Sequence, residues 1–188
     1  MKKIESIWLP DTQQKIFRVL MEAMARPGKI EDLAVLTQDE NALRATMATL
    51  MDAEVSLCDQ HGLLDAADWP LLQCRQQDAQ HAGYIVCDGG QAADFEPRLG
   101  TLASPEFGAT LIIKVADLQQ GKAKLKLSGP GVNGDCEIAL SGFDKSWLQQ
   151  RAQWNSAFPL GVDIVLVDDG HVMAWPRTTK IEVSSWDM

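Results

Sequence analysis

Length, composition and charge exclude several classes of protein. The chain has 188 residues, of which 46% are hydrophobic and 23% charged, and its formal net charge is −9. These values fit one folded domain over residues 1–188 rather than a disordered chain. The acidic balance argues against non-specific nucleic-acid binding and polybasic membrane contact. No apolar run approaches the roughly 20 residues that span a bilayer, so we predict a cytoplasmic protein.

Two amphipathic helices are predicted in the first third of the chain. The first covers residues 11–26, begins at a capping Asp11 or Thr12, and ends at Pro27-Gly28. The i, i+3, i+4, i+7 spacing gives it an apolar face of Phe17, Leu20, Met21 and Met24. The second covers residues 41–53, and its predicted apolar face is Leu43, Met47, Leu50 and Met51.

Strands are predicted along most of the remaining chain. They lie at 54–58, 84–87, 109–115, 122–128, 136–140, 161–167 and 171–175, with a further short strand at 180–183. The run 109–115 is almost continuously apolar and should therefore be central. Asp169-Gly170 predicts a hairpin turn between the strands on either side of it.

Three segments between these strands are predicted to be helical or irregular. A helix capped by Asp144 should run to about Asn155. Residues 59–82 are polar with a short helix near 63–69, and 91–108 are loop-like with one or two helical turns. Because helices do not alternate strictly with strands, the fold class is α/β, with a mixed sheet of about seven strands flanked by helices.

Two surface features admit both a functional and a structural interpretation. Gly129-Pro130-Gly131 lacks the Lys-Ser/Thr ending of a phosphate loop, and the order Pro-Gly favours a type II turn. Lys122, Lys124 and Lys126 share one face of a strand. They indicate either a solvent face that discourages edge pairing or a positive patch for an acidic partner.

Two carboxylates are candidates for a site. Glu106 precedes the central strand, where it would serve as an acid or base, or only as part of the local structure. Asp163 interrupts an apolar strand. One interpretation places it at the start of that strand, exposed to solvent. The other buries it with a hydrogen-bonding or ionic partner or with a shifted pKa, as carboxylates at functional sites often are.

The segment Pro176-Arg177-Thr178-Thr179 follows the last predicted hairpin. An arginine with two hydroxyls can hold a phosphate or carboxylate. The alternative is structural: Pro176 ends strand pairing and Arg177 pairs with an acidic neighbour. No catalytic motif, metal-ligand spacing or cofactor fingerprint appears in the sequence, so no catalytic, metal or cofactor residue is assigned.

Five stretches together resemble one protein family. They are FRVLMEAMARPG (17–28), GTLASPEFGATLII (100–113), LSGPGV (127–132), FPLGVDIVL (158–166) and PRTTKIEV (176–183). The family is PhnH, whose members belong to the core complex of bacterial carbon–phosphorus lyase and serve phosphonate metabolism. The likeness spans nearly the whole chain and is weakest over residues 59–99.

The resemblance implies a fold, partners and a reaction. The fold would be a reduced form of the large domain of pyridoxal-phosphate-dependent transferases, without the cofactor. The chain would form a homodimer and assemble with the lyase subunits G, I and J. With G, I and L it would support the transfer of methylphosphonate onto the ribose triphosphate of ATP, releasing adenine and giving ribose 1-methylphosphonate 5-triphosphate.

The resemblance assigns no catalytic residue to this member of the complex. Glu106, Asp163, Arg177 and Thr178 are the predicted polar cluster at an interface or at a ligand cleft that contacts ATP or a phosphonate within the complex. The chain is then a non-autonomous part of a transferase or lyase complex. The alternative is an autonomous small-anion transferase or hydrolase of α/β fold.

Overall fold

The computed structural model describes residues 5–37 and 41–186. The helices of these ranges are α1 (Pro10–Ala25), α2 (Ala34–Thr37), α3 (Ala42–Leu50), α4 (Trp69–Leu72) and α5 (Ser146–Trp154). The strands are β1 (Glu31–Asp32), β2 (Ser56–Asp59), β3 (Arg75–Gln76), β4 (Tyr84–Asp88), β5 (Thr110–Lys114), β6 (Ala123–Ser128), β7 (Cys136–Leu140), β8 (Asp163–Val167), β9 (His171–Trp175) and β10 (Lys180–Trp186). None of the helices in these ranges is long and apolar enough to cross a membrane.

Seven strands form the main sheet, in the order β1-β9-β8-β5-β4-β2-β3. The five strands from β8 to β3 are parallel, whereas β9 pairs antiparallel with β8 and β1 pairs antiparallel with β9. The prediction of a mixed α/β sheet with 109–115 at its centre is confirmed. Leu111 and Ile113 lie in one core and Ile112 in the other, so β5 is buried on both faces.

The membership of the sheet differs from the prediction. The predicted strands at 122–128, 136–140 and 180–183 leave the main sheet and form a separate outer sheet, β10-β6-β7. The two-residue strands β1 and β3 bring the main sheet to seven. Strand periodicity shows that a segment pairs, but it does not show with which sheet.

The molecule has three layers with two hydrophobic cores. α1 and α3 cover one face of the main sheet, where Ile16, Leu20 and Met47 lie in the same buried cluster as Ile112. The outer sheet and α5 cover the other face, where Leu125, Leu127, Trp147 and Trp154 lie in the same cluster as Leu111.

The predicted apolar face of α1 is half right, since Leu20 is buried and Met24 packs against the core. The buried residues are Ile16, Leu20 and Ala23, whereas Phe17 and Met21 are exposed. Residues 16–24 carry apolar side chains on several sides of the helix, so the helical spacing fits two faces equally well. The cap also differs, because the helix begins at Pro10 after Leu9 and no side chain caps it.

The other local predictions hold with shifted bounds. α3 begins after Asn41, whose side chain accepts a hydrogen bond from the Arg44 amide at 2.8 Å, and it ends three residues before the predicted end. The short helix predicted near 63–69 lies further along the chain, as α4. The N-cap position of α5 is Lys145 rather than the predicted Asp144, although Asp144 accepts a hydrogen bond from the Ser146 amide at 2.8 Å.

The two predicted turns form. Val132 donates its amide hydrogen to the Gly129 carbonyl at 3.1 Å, and Gly131 has φ +82°, which makes a type II turn. In the hairpin, Asp168 closes the turn with His171. Neither Asp169 nor Gly170 has the positive φ that a type I′ turn requires.

The lysine face of β6 is the solvent face of its strand, as one of the two interpretations predicted, but β6 is not an edge strand. β6 is the middle strand of the outer sheet. Lys126 lies opposite Glu182 on one neighbour and Glu137 on the other, and its Nζ is 2.7 Å from a carboxylate oxygen of Asp135. Acidic side chains therefore neutralise the strongest part of the predicted stripe.

Candidate functional site

The Arg177–Asp163 ion pair lies where the parallel strands of the main sheet begin. Asp163 is the first residue of β8, and Arg177 follows the end of the antiparallel β9. Arg177 Nη2 is 2.6 Å from Asp163 Oδ2, and Nε is within 3.3 Å of both carboxylate oxygens. The Arg177 amide donates to Asp163 Oδ1 at 2.7 Å. The side chains are only 14% and 20% exposed, so the pair is largely shielded from water.

The remaining donors of Arg177 bind two loops. Its Nη1 donates to the carbonyl of Pro105 at 2.9 Å and to that of Pro159 at 3.1 Å. Pro105 begins a 3₁₀ turn, Pro105–Phe107, and the Phe158–Pro159 peptide bond is cis. All three guanidinium nitrogens thus have protein partners. This favours the structural interpretation of Arg177 over direct binding of an external anion.

The structure brings together two of the four predicted site residues. Asp163 and Arg177 form the ion pair, so Asp163 lies at the start of its strand and is also paired. Glu106 and Thr178 are both exposed, each next in the chain to a residue of the Arg177 network. They form the solvent-facing border of the cluster.

A second arginine, missed by the sequence reasoning, holds the same segment from the other side. Arg151 Nη2 donates to the Pro176 carbonyl at 2.7 Å and to the Thr179 carbonyl at 2.9 Å. Burial lowers the pKa of Arg151 to about 10, although nearby Asp163 opposes that change. The signal was present in the sequence: Trp147, Arg151 and Trp154 share the i, i+4, i+7 face of α5, and all three are buried.

An open cavity of about 300 Å³ lies next to the ion pair. We call it the edge cavity; its lining includes Ser56, Arg75, Tyr84, Arg98, Glu106 and Thr110. Four of these come from the beginnings of adjacent parallel strands, because Ser56, Arg75, Tyr84 and Thr110 are first residues of their strands. Of the predicted site residues, Glu106 is the one that lines it. The arginines were not identified from the sequence, since neither belongs to a motif.

At the opposite ends of these strands, the oxygens of two carboxylates are already occupied by backbone amides. Asp59, at the end of β2, accepts the amides of Leu63 and Leu64 at 2.9 and 3.0 Å. Asp168, after β8, accepts the amides of Leu118, Gly170 and His171 at 2.7–3.1 Å. Across residues 5–37 and 41–186, no three His, Cys, Asp or Glu side chains are grouped so as to hold a metal ion.

The four cysteines are free thiols, and two of them are buried. Burial raises the pKa of the Cys58 and Cys87 thiols above the ordinary value. Both thiols are therefore protonated at neutral pH and poorly suited to act as nucleophiles.

Comparison with known proteins gives matches over nearly the whole chain. A family described as "Bacterial phosphonate metabolism protein (PhnH)" matches residues 7–182. A putative C-P lyase subunit protein, HtxG of Stutzerimonas stutzeri, is 38% identical over 177 residues, covering 94% of this chain and 89% of the relative. The alpha-D-ribose 1-methylphosphonate 5-triphosphate synthase subunit PhnH of Rhizobium meliloti (strain 1021) is 30% identical over 187 residues, covering 90% of each chain.

Proposed function

The chain belongs to the PhnH family of bacterial phosphonate metabolism proteins and has the role of a carbon–phosphorus lyase subunit, and we propose how it fulfils that role. With subunits G, I and L it supports the transfer of methylphosphonate onto the ribose triphosphate of ATP, with release of adenine. This proposal rests on the match, over 90% of each chain, to a relative named as a subunit of that synthase.

The proposed role of the site cluster is to form a binding face for another subunit. Arg177 ties the Pro105 and Pro159 loops to Asp163, which fixes their shape. Beside these fixed points, Phe107 and Phe158 are 56% and 66% exposed. Rigid loops that present large apolar side chains within a polar border have the composition expected of a protein interface. Glu106 and Thr178 supply that border.

Co-purification tests this face. The tagged chain, co-expressed with subunits G, I and J, should purify as a complex with them. Glu106→Arg and Thr178→Lys should reduce the amount of bound partner, because each places a new charge at the border of the interface. The matched control is Glu137→Arg, at an exposed position on β7, which should leave assembly unchanged.

Two results would contradict the proposal. A wild-type chain that never associates with the other subunits would remove the assembly role. Equal losses of bound partner in Glu106→Arg and Glu137→Arg would show that the charge of the surface in general, rather than this face, controls association.

Reconstitution tests the reaction. Adenine release from ATP and methylphosphonate should require this chain together with G, I and L, and should be absent when the chain is incubated alone. Turnover by the isolated chain would instead support the autonomous small-anion transferase or hydrolase.

The remaining parts of the proposal concern fold relationship, oligomer and location. The parallel core with antiparallel strands at one end of the seven-stranded sheet supports kinship with pyridoxal-phosphate-dependent transferases. If the chain carries no such cofactor, the purified protein should show no absorbance near the visible edge that borohydride removes. We further propose a cytoplasmic homodimer, to be checked by sedimentation velocity and cell fractionation.

A further inference from the structure

We propose that the edge cavity is a binding site for a single phosphorus oxyanion, a phosphonate or a phosphate, with Arg98 as its principal cation. The lining of the cavity and the contacts of Arg98 give the position of the site and its preference for an anion. The choice of a phosphorus oxyanion rests on the proposed function. The site is separate from the Arg177–Asp163 pair, whose guanidinium nitrogens are all engaged by protein groups.

Arg98 is a cation without a carboxylate. In the described ranges it forms no ion pair; its guanidinium lies over the Phe107 ring, with 5.7 Å between Cζ and the ring centroid. The other side of the group faces Gly83, where an added Cβ would lie 3.4 Å from Arg98 Nη2. Arg98 Nε is buried and lacks a hydrogen-bond partner within the described part of the chain. A guanidinium held in place with unused donors is the group that binds phosphorus oxyanions most directly.

The neighbouring groups add donors. Arg75 also lines the cavity and uses one nitrogen, Nη2, to bind the Glu54 carbonyl at 3.1 Å. Ser56 Oγ accepts the Gly83 amide at 3.0 Å, which leaves its own hydrogen to donate. Burial raises the pKa of Tyr84, so its phenol keeps its hydrogen at neutral pH. These residue types complement an acceptor-rich ligand.

The charge and size of the cavity select a small ligand. Two carboxylates, Glu54 and Glu106, also belong to the lining, so its positive charge is limited to Arg75 and Arg98, neither of which has an ion-pair partner in the described ranges. A triphosphate would bring more negative charge than this lining can offset. The volume of about 300 Å³ is at the lower end of small-molecule sites, which also favours one oxyanion group over a nucleotide chain.

Two other cavities lack this combination. The one of about 670 Å³ is lined by Asp78, Asp94 and Glu96 and has no cation among its described lining residues, so it would repel an anion. The one of about 500 Å³ contains Arg26 and Lys29, but both are already paired, with Glu22 and Glu31 respectively. Arginines without a carboxylate partner are therefore what distinguishes the edge cavity from these two.

Calorimetric titration of the full-length chain tests the site, with inorganic phosphate, methylphosphonate and acetate as probes. Both phosphorus oxyanions should bind and acetate should bind more weakly. Arg98→Gln should weaken phosphate and methylphosphonate binding by about 10- to 100-fold, the effect of losing one charged hydrogen-bonding partner. Arg18→Gln, which removes the same charge from an exposed position on α1, should leave binding unchanged.

A second variant tests the site even if Arg98→Gln fails to fold. Arg75 is exposed, so Arg75→Gln should fold normally, as checked by thermal unfolding, and should weaken binding in the same direction. The site is refuted if neither phosphorus oxyanion binds, if Arg98→Gln in a folded chain binds as well as the parent, or if Arg18→Gln weakens binding equally. Acetate binding as tight as phosphate binding would overturn the ligand class.

Co-purification with the partner subunits separates this inference from the proposed function. If the chain assembles but does not bind the oxyanions, only the proposed site is refuted. If it binds them through Arg98 but never assembles, only the proposed subunit role is refuted.

Discussion

At the scale of single residues, the hydrogen bonds of Arg177 decide what the Pro-Arg-Thr-Thr segment does. The sequence left two interpretations open, an anion cradle or an internal pair. Arg177 binds Asp163 and two proline carbonyls, and Arg151 binds the carbonyls of Pro176 and Thr179 from the other side. The segment is therefore a fixed junction between strands, and both arginines bind groups of their own chain.

Substituting Arg177 should destabilise the fold. Arg177→Gln removes the ionic partner of a largely shielded carboxylate and releases two loop carbonyls. We expect the free energy of unfolding to fall by about 2–3 kcal/mol, measured by denaturant titration. Arg26→Gln is the matched control. Its partner Glu22 is an exposed neighbour on the same helix, so the loss should stay below about 0.5 kcal/mol. Similar losses in both variants would contradict the structural role of Arg177.

Asp168 should make the free energy of unfolding depend on pH in the acidic range. Burial raises the pKa of its carboxyl, but the hydrogen bonds from three amides and the His171 ring outweigh burial and leave the pKa below its ordinary value. A lowered folded-state pKa gives stability that is present above the unfolded value of about 3.9 and is lost as pH falls through the folded value.

The acid dependence can be measured against one variant. Asp168→Asn should be less stable than the parent at about pH 6, because a neutral amide is a weaker acceptor. The difference in unfolding free energy should narrow as pH is lowered from about 5 to 2, since the parent carboxyl becomes neutral there. A difference that stays constant over this range would show that the hydrogen bonds do not depend on the charge of Asp168.

At the scale of elements, the two loops beside the ion pair touch backbone to backbone. An added Cβ at Gly108 would lie 2.2 Å from the Gly161 carbonyl oxygen and 3.1 Å from two nitrogens of Arg177. Gly108 has φ −59° and ψ 142°, which any residue adopts. Glycine is therefore required here by space rather than by backbone conformation.

Gly108→Ala should force the two loops apart. Because the obstacle is backbone, we expect a loss of about 2–3 kcal/mol in unfolding free energy, together with weaker assembly with the partner subunits. Gly170→Ala is the control, since its added Cβ would be 3.5 Å from the Ala34 side chain, an ordinary contact. Its effect should remain within about 1 kcal/mol. Tolerance of Gly108→Ala would mean that the loops separate without cost.

At the scale of the whole molecule, the layers should differ in stability. β5 has a hydrogen-bonded parallel neighbour on each side and a core on each face. The outer sheet has three strands, and β10 is largely exposed or half-buried along its length. Local opening is easiest where few apolar contacts must be broken, so the outer sheet should open without the main sheet.

Hydrogen exchange checks this order. The amides of β5 and β8 should exchange most slowly, at rates set by global unfolding, and those of β10 should exchange faster. Because all amides are measured in one sample, the observed exchange rates need correcting only for the intrinsic exchange rate of each amide. Slower exchange in β10 than in β5 would show that the outer sheet is the stable nucleus.

The sequence by itself determined the class of fold, the central strand, the two turns and the family. These follow from local chemistry: apolar periodicity, proline and glycine geometry, and motifs read along the chain. Only the tertiary structure decided which face of α1 is buried, which strands leave for the outer sheet, and that Asp163 and Arg177 are the two members of the predicted cluster that pair. It alone placed Arg75 and Arg98 at one cavity. Contacts between residues far apart in the chain depend on how layers pack, and a pattern along one segment carries no information about its neighbours in space.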